Sequence, residues 1–131
     1  MPSDIARLRA QIARQRYALS QLDVVEAAEH LVRSHHRQLL DDELAELHKE
    51  LVRAQRTLDL ARDGNDLNFI VVAEEDTCRV QRQVTLLQRQ SREHDVAAAK
   101  VRSAYLAQRQ QLVELVNQLQ HLLVRTIRRA P

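Results

Sequence analysis

The 131-residue chain contains few of the residues that let a protein change direction. Gly64 is its only glycine, and its two prolines, Pro2 and Pro131, lie at the two ends. Aromatic residues make up 2% of the chain, which leaves few large rings to build a globular core. Sheets and barrels need glycine and proline at their tight turns. The composition therefore argues against both and predicts a chain with almost no corners.

The chain is equally short of cysteine and of long apolar runs. Cys78 is the only cysteine, which excludes an intrachain disulfide and a cysteine-based metal site and suits a reducing compartment. The longest apolar run, residues 69–73, is far shorter than the roughly 20 residues of a membrane span. The opening Met-Pro-Ser-Asp does not resemble a secretory signal. We therefore predict a cytoplasmic protein that does not span a membrane.

The residues that are abundant, namely Ala, Leu, Arg, Gln and Glu, are strong helix formers. One strong break interrupts them, at Asp63, Gly64, Asn65 and Asp66. Gly64 is suited to the left-handed residue that ends a helix, and Asp66 to the N-cap of the next one. Ser3 or Asp4 is suited to the N-cap of the first helix. The sequence thus predicts helices at about 4–62 and 66–129, joined by a turn at about 63–66.

Apolar residues follow coiled-coil spacing in both predicted helices. The residues that face the other helix form the seam of a coiled coil. In the second helix, we predict a seam with an unbroken alternation of three- and four-residue steps. Its members are Ile70, Ala73, Thr77, Val80, Val84, Leu87, Ser91, His94, Ala98, Val101, Tyr105, Gln108, Leu112, Leu115, Leu119 and Leu122. The first helix has three phases: Ile5, Leu8, Ile12 and Leu19; then Leu22, Val25 and Val32; then Leu40, Leu44, Leu47, Leu51, Ala54, Leu58 and Ala61.

This pattern predicts an all-α fold, an antiparallel two-helix coiled-coil hairpin formed by residues 1–131 as a single domain. Pairing across the turn places Leu58 near residues 70–72, Leu44 near residues 84–87 and Leu8 near residues 119–122. A helix pair of this kind has no enclosed cavity for a substrate, and the sequence has no phosphate loop or catalytic motif. We therefore predict no enzymatic activity and no cofactor.

The same pairing brings two polar stretches together in the middle of the hairpin. Their central members are His35, His36, Ser91 and His94. Three histidines at one level suggest zinc, for which neutral imidazole is a common ligand. No Asp or Cys is placed to complete a zinc shell, so we favour a hydrated polar layer that lowers stability and helps to set the register.

Charge is distributed unevenly although the net charge is only +2. The chain termini, which the hairpin brings together, carry Arg7, Arg9, Arg14, Arg16, Arg125, Arg128 and Arg129. The turn end carries Asp59, Asp63, Asp66, Glu74, Glu75 and Asp76. The helix dipole favours arginine at the C-terminus of the second helix but not at the start of the first. We therefore favour a basic docking end for an acidic protein surface. Nucleic acid is a weaker candidate, because no aromatic residues interleave with the arginines.

The N-terminal stretch Ile5-Ala6-Arg7-Leu8-Arg9 and the Ala-rich stretch Ala97-Ala98-Ala99-Lys100-Val101 resemble the stalk proteins of type III secretion and flagellar export ATPases. The resemblance continues through Arg14-Gln15-Arg16, Leu19 and Leu22, and through Val113-Glu114 and Leu119. It implies a non-enzymatic stalk or adaptor whose terminal end docks on the hexameric export ATPase ring. It also implies contacts with the export gate and with chaperones, at the cytoplasmic side of the inner membrane. The alternative from the residues alone is a free-standing adaptor that homodimerises into a four-helix bundle.

Overall fold

Two long helices make up nearly the whole chain. The computed structural model describes residues 2–130, in which helix α1 spans Pro2–Gly64 and helix α2 spans Leu67–Arg129. The helices pack against each other as a hairpin, and the described residues contain no strand. The predicted all-α hairpin is confirmed. α1 begins at Pro2, so Ser3 and Asp4 lie in its first turn and do not precede it as caps.

The turn uses a different residue from the one predicted. Gly64 is the last residue of α1 and does not have a positive φ, whereas Asn65 has a φ of 55°. Asn65 also donates its backbone N–H to the carbonyl of Arg62 at 3.3 Å, which is one of the bonds of a helix-ending Schellman turn. The prediction that Gly64 is the left-handed residue is therefore wrong. Asparagine tolerates this conformation because its short polar side chain can bond locally.

Asp66 caps α2 as predicted. Its Oδ1 accepts the backbone N–H groups of Asn68 at 3.1 Å and Phe69 at 3.3 Å. Its carbonyl accepts the N–H of Ile70 at 2.9 Å, which is the first hydrogen bond of the helix. The side chain thus satisfies two of the free N–H groups that every helix start leaves open.

The described residues divide into two compact units. The terminal unit comprises residues 2–32 of α1 with residues 99–130 of α2, and the turn unit comprises residues 33–98. In the turn unit, Leu58, Ala61 and Ala73 form a buried cluster against which Ile70 packs, so Leu58 lies where the pairing placed it. The α1 phase from Leu40 to Ala61 is buried or half-buried throughout, as predicted.

The seam of the terminal unit departs from the predicted heptads. Leu8, Ile12 and Val116 are buried, but Val25 and Val32 of α1 are 50% and 71% exposed. In α2, the predicted members Val101, Gln108, Leu115 and Leu122 are exposed. The predicted members Tyr105, Leu112 and Leu119 are half-buried, and Arg109, Val116, Leu123 and Thr126 also face inward. The predicted α2 seam is therefore wrong at alternate positions of the terminal unit. At three of these the inward residue is the next one along the chain, which is polar at Arg109 and apolar at Val116 and Leu123.

Candidate docking and interaction surfaces

The seven arginines predicted to form a docking end all belong to the terminal unit, and all are exposed. Arg7 lies 3.7 Å from Asp4 within the first turns of α1. The two side chains are 69% and 47% exposed, so water screens the pair and it adds little to stability. The guanidinium groups are therefore accessible to a partner.

The charge imbalance between the units is larger than the terminal arginines alone suggest. The terminal unit contains ten basic and five acidic residues, and the turn unit contains ten basic and thirteen acidic residues. The acidic residues predicted near the turn are exposed. Two of them pair with arginines, Glu74 with Arg62 at 3.5 Å and Asp76 with Arg79 at 2.6 Å. A partner thus meets opposite net charge on the two units.

A polar network between the helices of the terminal unit was not predicted. Tyr105 of α2 donates its hydroxyl to Oδ1 of Asp23 at 2.6 Å, and Nε of Arg109 donates to the same oxygen at 3.2 Å. The Tyr105 hydrogen bond lowers the pKa of the Asp23 carboxyl, and Arg109 lowers it further against the opposing effect of desolvation. The same bond to Asp23 raises the pKa of Tyr105. This network ties α1 to α2 by charge-assisted hydrogen bonds.

A second ion pair lies one helical turn away. Glu26 is buried, and its Oε1 lies 3.6 Å from Nη1 of Arg102. The Arg102 guanidinium also lies 5.2 Å from the centre of the Tyr105 ring, within the range of a cation–π contact. A buried carboxylate needs such a partner to avoid a large desolvation penalty. Glu26 directly follows Val25, which is exposed, so the apolar pattern alone pointed one residue away from the buried position.

The predicted polar middle layer is partly as expected. Ser91 is buried and His94 is half-buried in the turn unit. The His36 and His94 rings lie 4.9 Å apart between centroids and are tilted by 31°. One of the two neighbouring histidines, His36, thus lies across from His94 as the pairing predicted, whereas His35 is exposed and does not join the layer. Helical geometry explains this, since neighbouring residues point about 100° apart.

Arg37, which the heptad pattern did not single out, is the central residue of this layer. Its Nη1 donates to the carbonyl and to the hydroxyl of Ser91 across the helix pair. The same nitrogen lies 3.2 Å from Asp95, and Nε lies 3.4 Å from Asp41. Within residues 2–130, the buried Nδ1 of His94 has no hydrogen-bond partner, and Oδ1 of Asp95 lies 3.8 Å from it. The layer is therefore organised around a guanidinium, with the imidazoles beside it.

An uncharged face covers the outer side of α1 in the terminal unit. Tyr17, Val24, Val25, Leu31 and Val32 are between 50% and 71% exposed. The charged residues of the same stretch are Asp23, Glu26 and Glu29, which lie about 100°, 160° and 140° around the helix from Val24. Over residues 17–32, the charged side chains of α1 thus lie toward α2 or on the flanks of the helix, and these five apolar side chains lie on its outer side.

Within residues 2–130, neither helix has a stretch apolar enough to cross a membrane. In the same range, no group of three or more His, Cys, Asp or Glu side chains is placed to hold a metal ion.

The chain matches no known family model, no curated protein and no solved structure.

Proposed function

We propose that this protein is a helical-hairpin adaptor that docks its basic end on an acidic surface of another protein. The observation that carries the proposal is the excess of positive charge in the terminal unit, ten basic residues against five acidic ones, with seven exposed arginines near the chain termini. Arginine is suited to such docking because its planar fork binds carboxylates in a bidentate manner.

The partner we propose is the hexameric ring of a type III or flagellar export ATPase. Support for it comes from the resemblance of the two helices to the stalk proteins of those machines. In this role the protein is cytoplasmic, links the ring to the export gate or to chaperones, and performs no catalysis itself. It associates with the inner membrane only through the secretion complex.

A pull-down with the export ATPase from the same organism tests this proposal. Changing Arg125, Arg128 and Arg129 together to Glu is expected to abolish binding. The control variant changes Arg82, Arg89 and Arg92 to Glu. It changes the net charge by the same amount, but at exposed positions of the turn unit. This control is expected to retain binding, and wild-type binding is expected to weaken as salt screens the contact.

The two parts of the proposal fail differently. If the variant with Glu at positions 125, 128 and 129 binds as tightly as the wild-type chain, the assignment of the docking end is contradicted. No binding of the wild-type chain to the ATPase contradicts the choice of partner.

A second candidate function is the free-standing adaptor that forms a homodimeric four-helix bundle. The exposed uncharged face of α1 favours it, because contiguous apolar patches on a protein surface mark interaction sites. Sedimentation tests this candidate: a particle of twice the 15.2 kDa monomer mass is expected if the bundle forms.

A further inference from the structure

We infer that the uncharged face of α1 between Tyr17 and Val32 binds the same face of a second copy, with the two α1 helices antiparallel about Val24. This inference deepens the second candidate function and rests on it. It uses none of the arginines assigned to docking, so each assignment can fail without the other.

The spacing of the face indicates that its partner is a helix. Tyr17, Gln21, Val24, Ala28 and Leu31 follow alternating steps of four and three residues along α1. All five are exposed, so α2 does not cover them. This spacing keeps one stripe of a helix facing another helix along its length. α1 therefore carries two coiled-coil stripes, one toward α2 and one directed outward.

The size pattern of the stripe indicates that the partner helix is the same one. Tyr17 and Leu31 are large and lie seven residues on either side of Val24. The positions between are smaller: Ser20 and Ala28 lie four residues from Val24, and Gln21 and Ala27 lie three residues from it. A two-fold interface must be self-complementary, because each contact occurs twice. Antiparallel pairing about Val24 meets this condition by placing Tyr17 of each copy against Leu31 of the other.

The absence of charge on this face favours self-pairing. No Asp, Glu, Lys or Arg occupies the stripe formed by Tyr17, Gln21, Val24, Ala28 and Leu31, so two copies paired along it bring no like charges together at its centre. The exposed Glu29 lies beside Val25 and Val32 on one flank of the stripe. Arg14 and Arg16 border the face at its N-terminal side. Parallel pairing would place these arginines beside their own copies, and antiparallel pairing moves them to opposite ends. Like charges at an interface oppose association, so the antiparallel arrangement is favoured.

The area of the face is sufficient for a dimer. Tyr17, Val24 and Leu31 on the stripe, with Val25 and Val32 on one flank of it, are 50–71% exposed and together leave an apolar patch on the order of 500 Å² per copy. Two such patches amount to roughly 1,000 Å², which is the size at which specific protein interfaces begin.

Sedimentation equilibrium of the full chain tests the dimer. The wild-type protein is expected to reach twice 15.2 kDa as concentration rises. Leu31→Arg is expected to weaken self-association at least tenfold, while circular dichroism shows unchanged helix content because Leu31 is 71% exposed. Leu60→Arg is the matched control, since Leu60 is 69% exposed but lies in the turn unit, and it is expected to dimerise normally.

Cysteine trapping tests the pairing, in a Cys78→Ser background that removes the exposed native thiol. Val24→Cys alone is expected to form a disulfide-linked dimer, because Val24 meets itself on the two-fold axis. Tyr17→Cys alone is expected to remain unlinked, and Tyr17→Cys combined with Leu31→Cys is expected to link. A monomer at all concentrations, equal loss of the dimer in both arginine variants, or efficient linkage of Tyr17→Cys alone would overturn the inference.

Discussion

At the scale of single residues, Asn65 and not its neighbour Gly64 adopts the left-handed conformation at the turn, although glycine is the residue type usually found there. Gly64 is helical, and a Cβ added there meets nothing within 4 Å. Asn65 adopts the left-handed conformation instead. The glycine is thus not required by the backbone, whereas the asparagine occupies the conformation that side chains rarely adopt.

This division predicts opposite effects of alanine at the two positions. Gly64→Ala is expected to raise the free energy of unfolding by about 1 kcal/mol, because glycine is a poor helix residue. Asn65→Ala is expected to lower it by about 1 kcal/mol, because a Cβ is strained in the left-handed region. Urea unfolding measures both. Destabilisation by Gly64→Ala, with Asn65→Ala neutral, would assign the left-handed role to the glycine.

The Asp23–Tyr105 hydrogen bond predicts a dependence of stability on pH. The lowered pKa of Asp23 means that its contribution is present above the unfolded value, about 3.9, and is lost as pH falls through the folded value. The raised pKa of Tyr105 means that its contribution is present below about pH 10 and is lost as pH rises further. Wild-type stability is therefore expected to decline at both extremes.

The variant Asp23→Asn is expected to flatten both declines, measured as melting temperature against pH. In a Tyr17→Phe background, it is also expected to move the ionisation of Tyr105 to lower pH, measured by ultraviolet absorbance. The exposed Glu43, changed to Gln, provides a control carboxylate outside the network. If Asp23→Asn and Glu43→Gln leave identical pH profiles, the hydrogen bond does not contribute as described.

At the scale of helices, the sequence predicted element type and length well and the inward face less well. Helix formers and a single break were enough to place both helices to within two residues of their observed ends. In the turn unit, the buried positions are regularly spaced and, except for Thr77 and Ser91, apolar, and the predicted seam agrees with the structure. In the terminal unit, inward positions include Glu26 and Arg109, and there the apolar pattern indicated the neighbouring positions.

Two adjacent residues of α2 test the observed seam. Val116 is 8% exposed and Leu115 is 37% exposed, whereas the predicted heptad placed Leu115 inside. Val116→Asp is expected to lower the free energy of unfolding by about 3 kcal/mol or more, because the carboxylate is buried without a partner. Leu115→Asp is expected to lower it by about 1 kcal/mol, because its carboxylate reaches water. Chemical denaturation that gives the reverse order would restore the predicted seam.

At the scale of the whole molecule, charge and apolar surface indicate two separate uses of the terminal unit. Its exposed arginines are suited to an acidic partner, and the outer side of α1 is suited to an uncharged helix. The first feature was predicted from the positions of arginine in the sequence. The second was not, because Val24, Val25, Leu31 and Val32 look like ordinary core residues until the helix is oriented against its partner.

The order of residues along the chain was sufficient to establish an all-α hairpin, its corner and its basic end. These follow from local properties: helix propensity, the scarcity of glycine and the linear position of charge. Tertiary packing alone decided that Asn65 makes the turn, that Glu26 is buried and Arg37 half-buried between the helices, and that an apolar stripe lies outside. The reason is that inward and outward positions depend on the rotation of each helix about its axis. That rotation is settled by contacts between residues far apart in sequence, such as Asp23 with Tyr105 and Arg37 with Ser91.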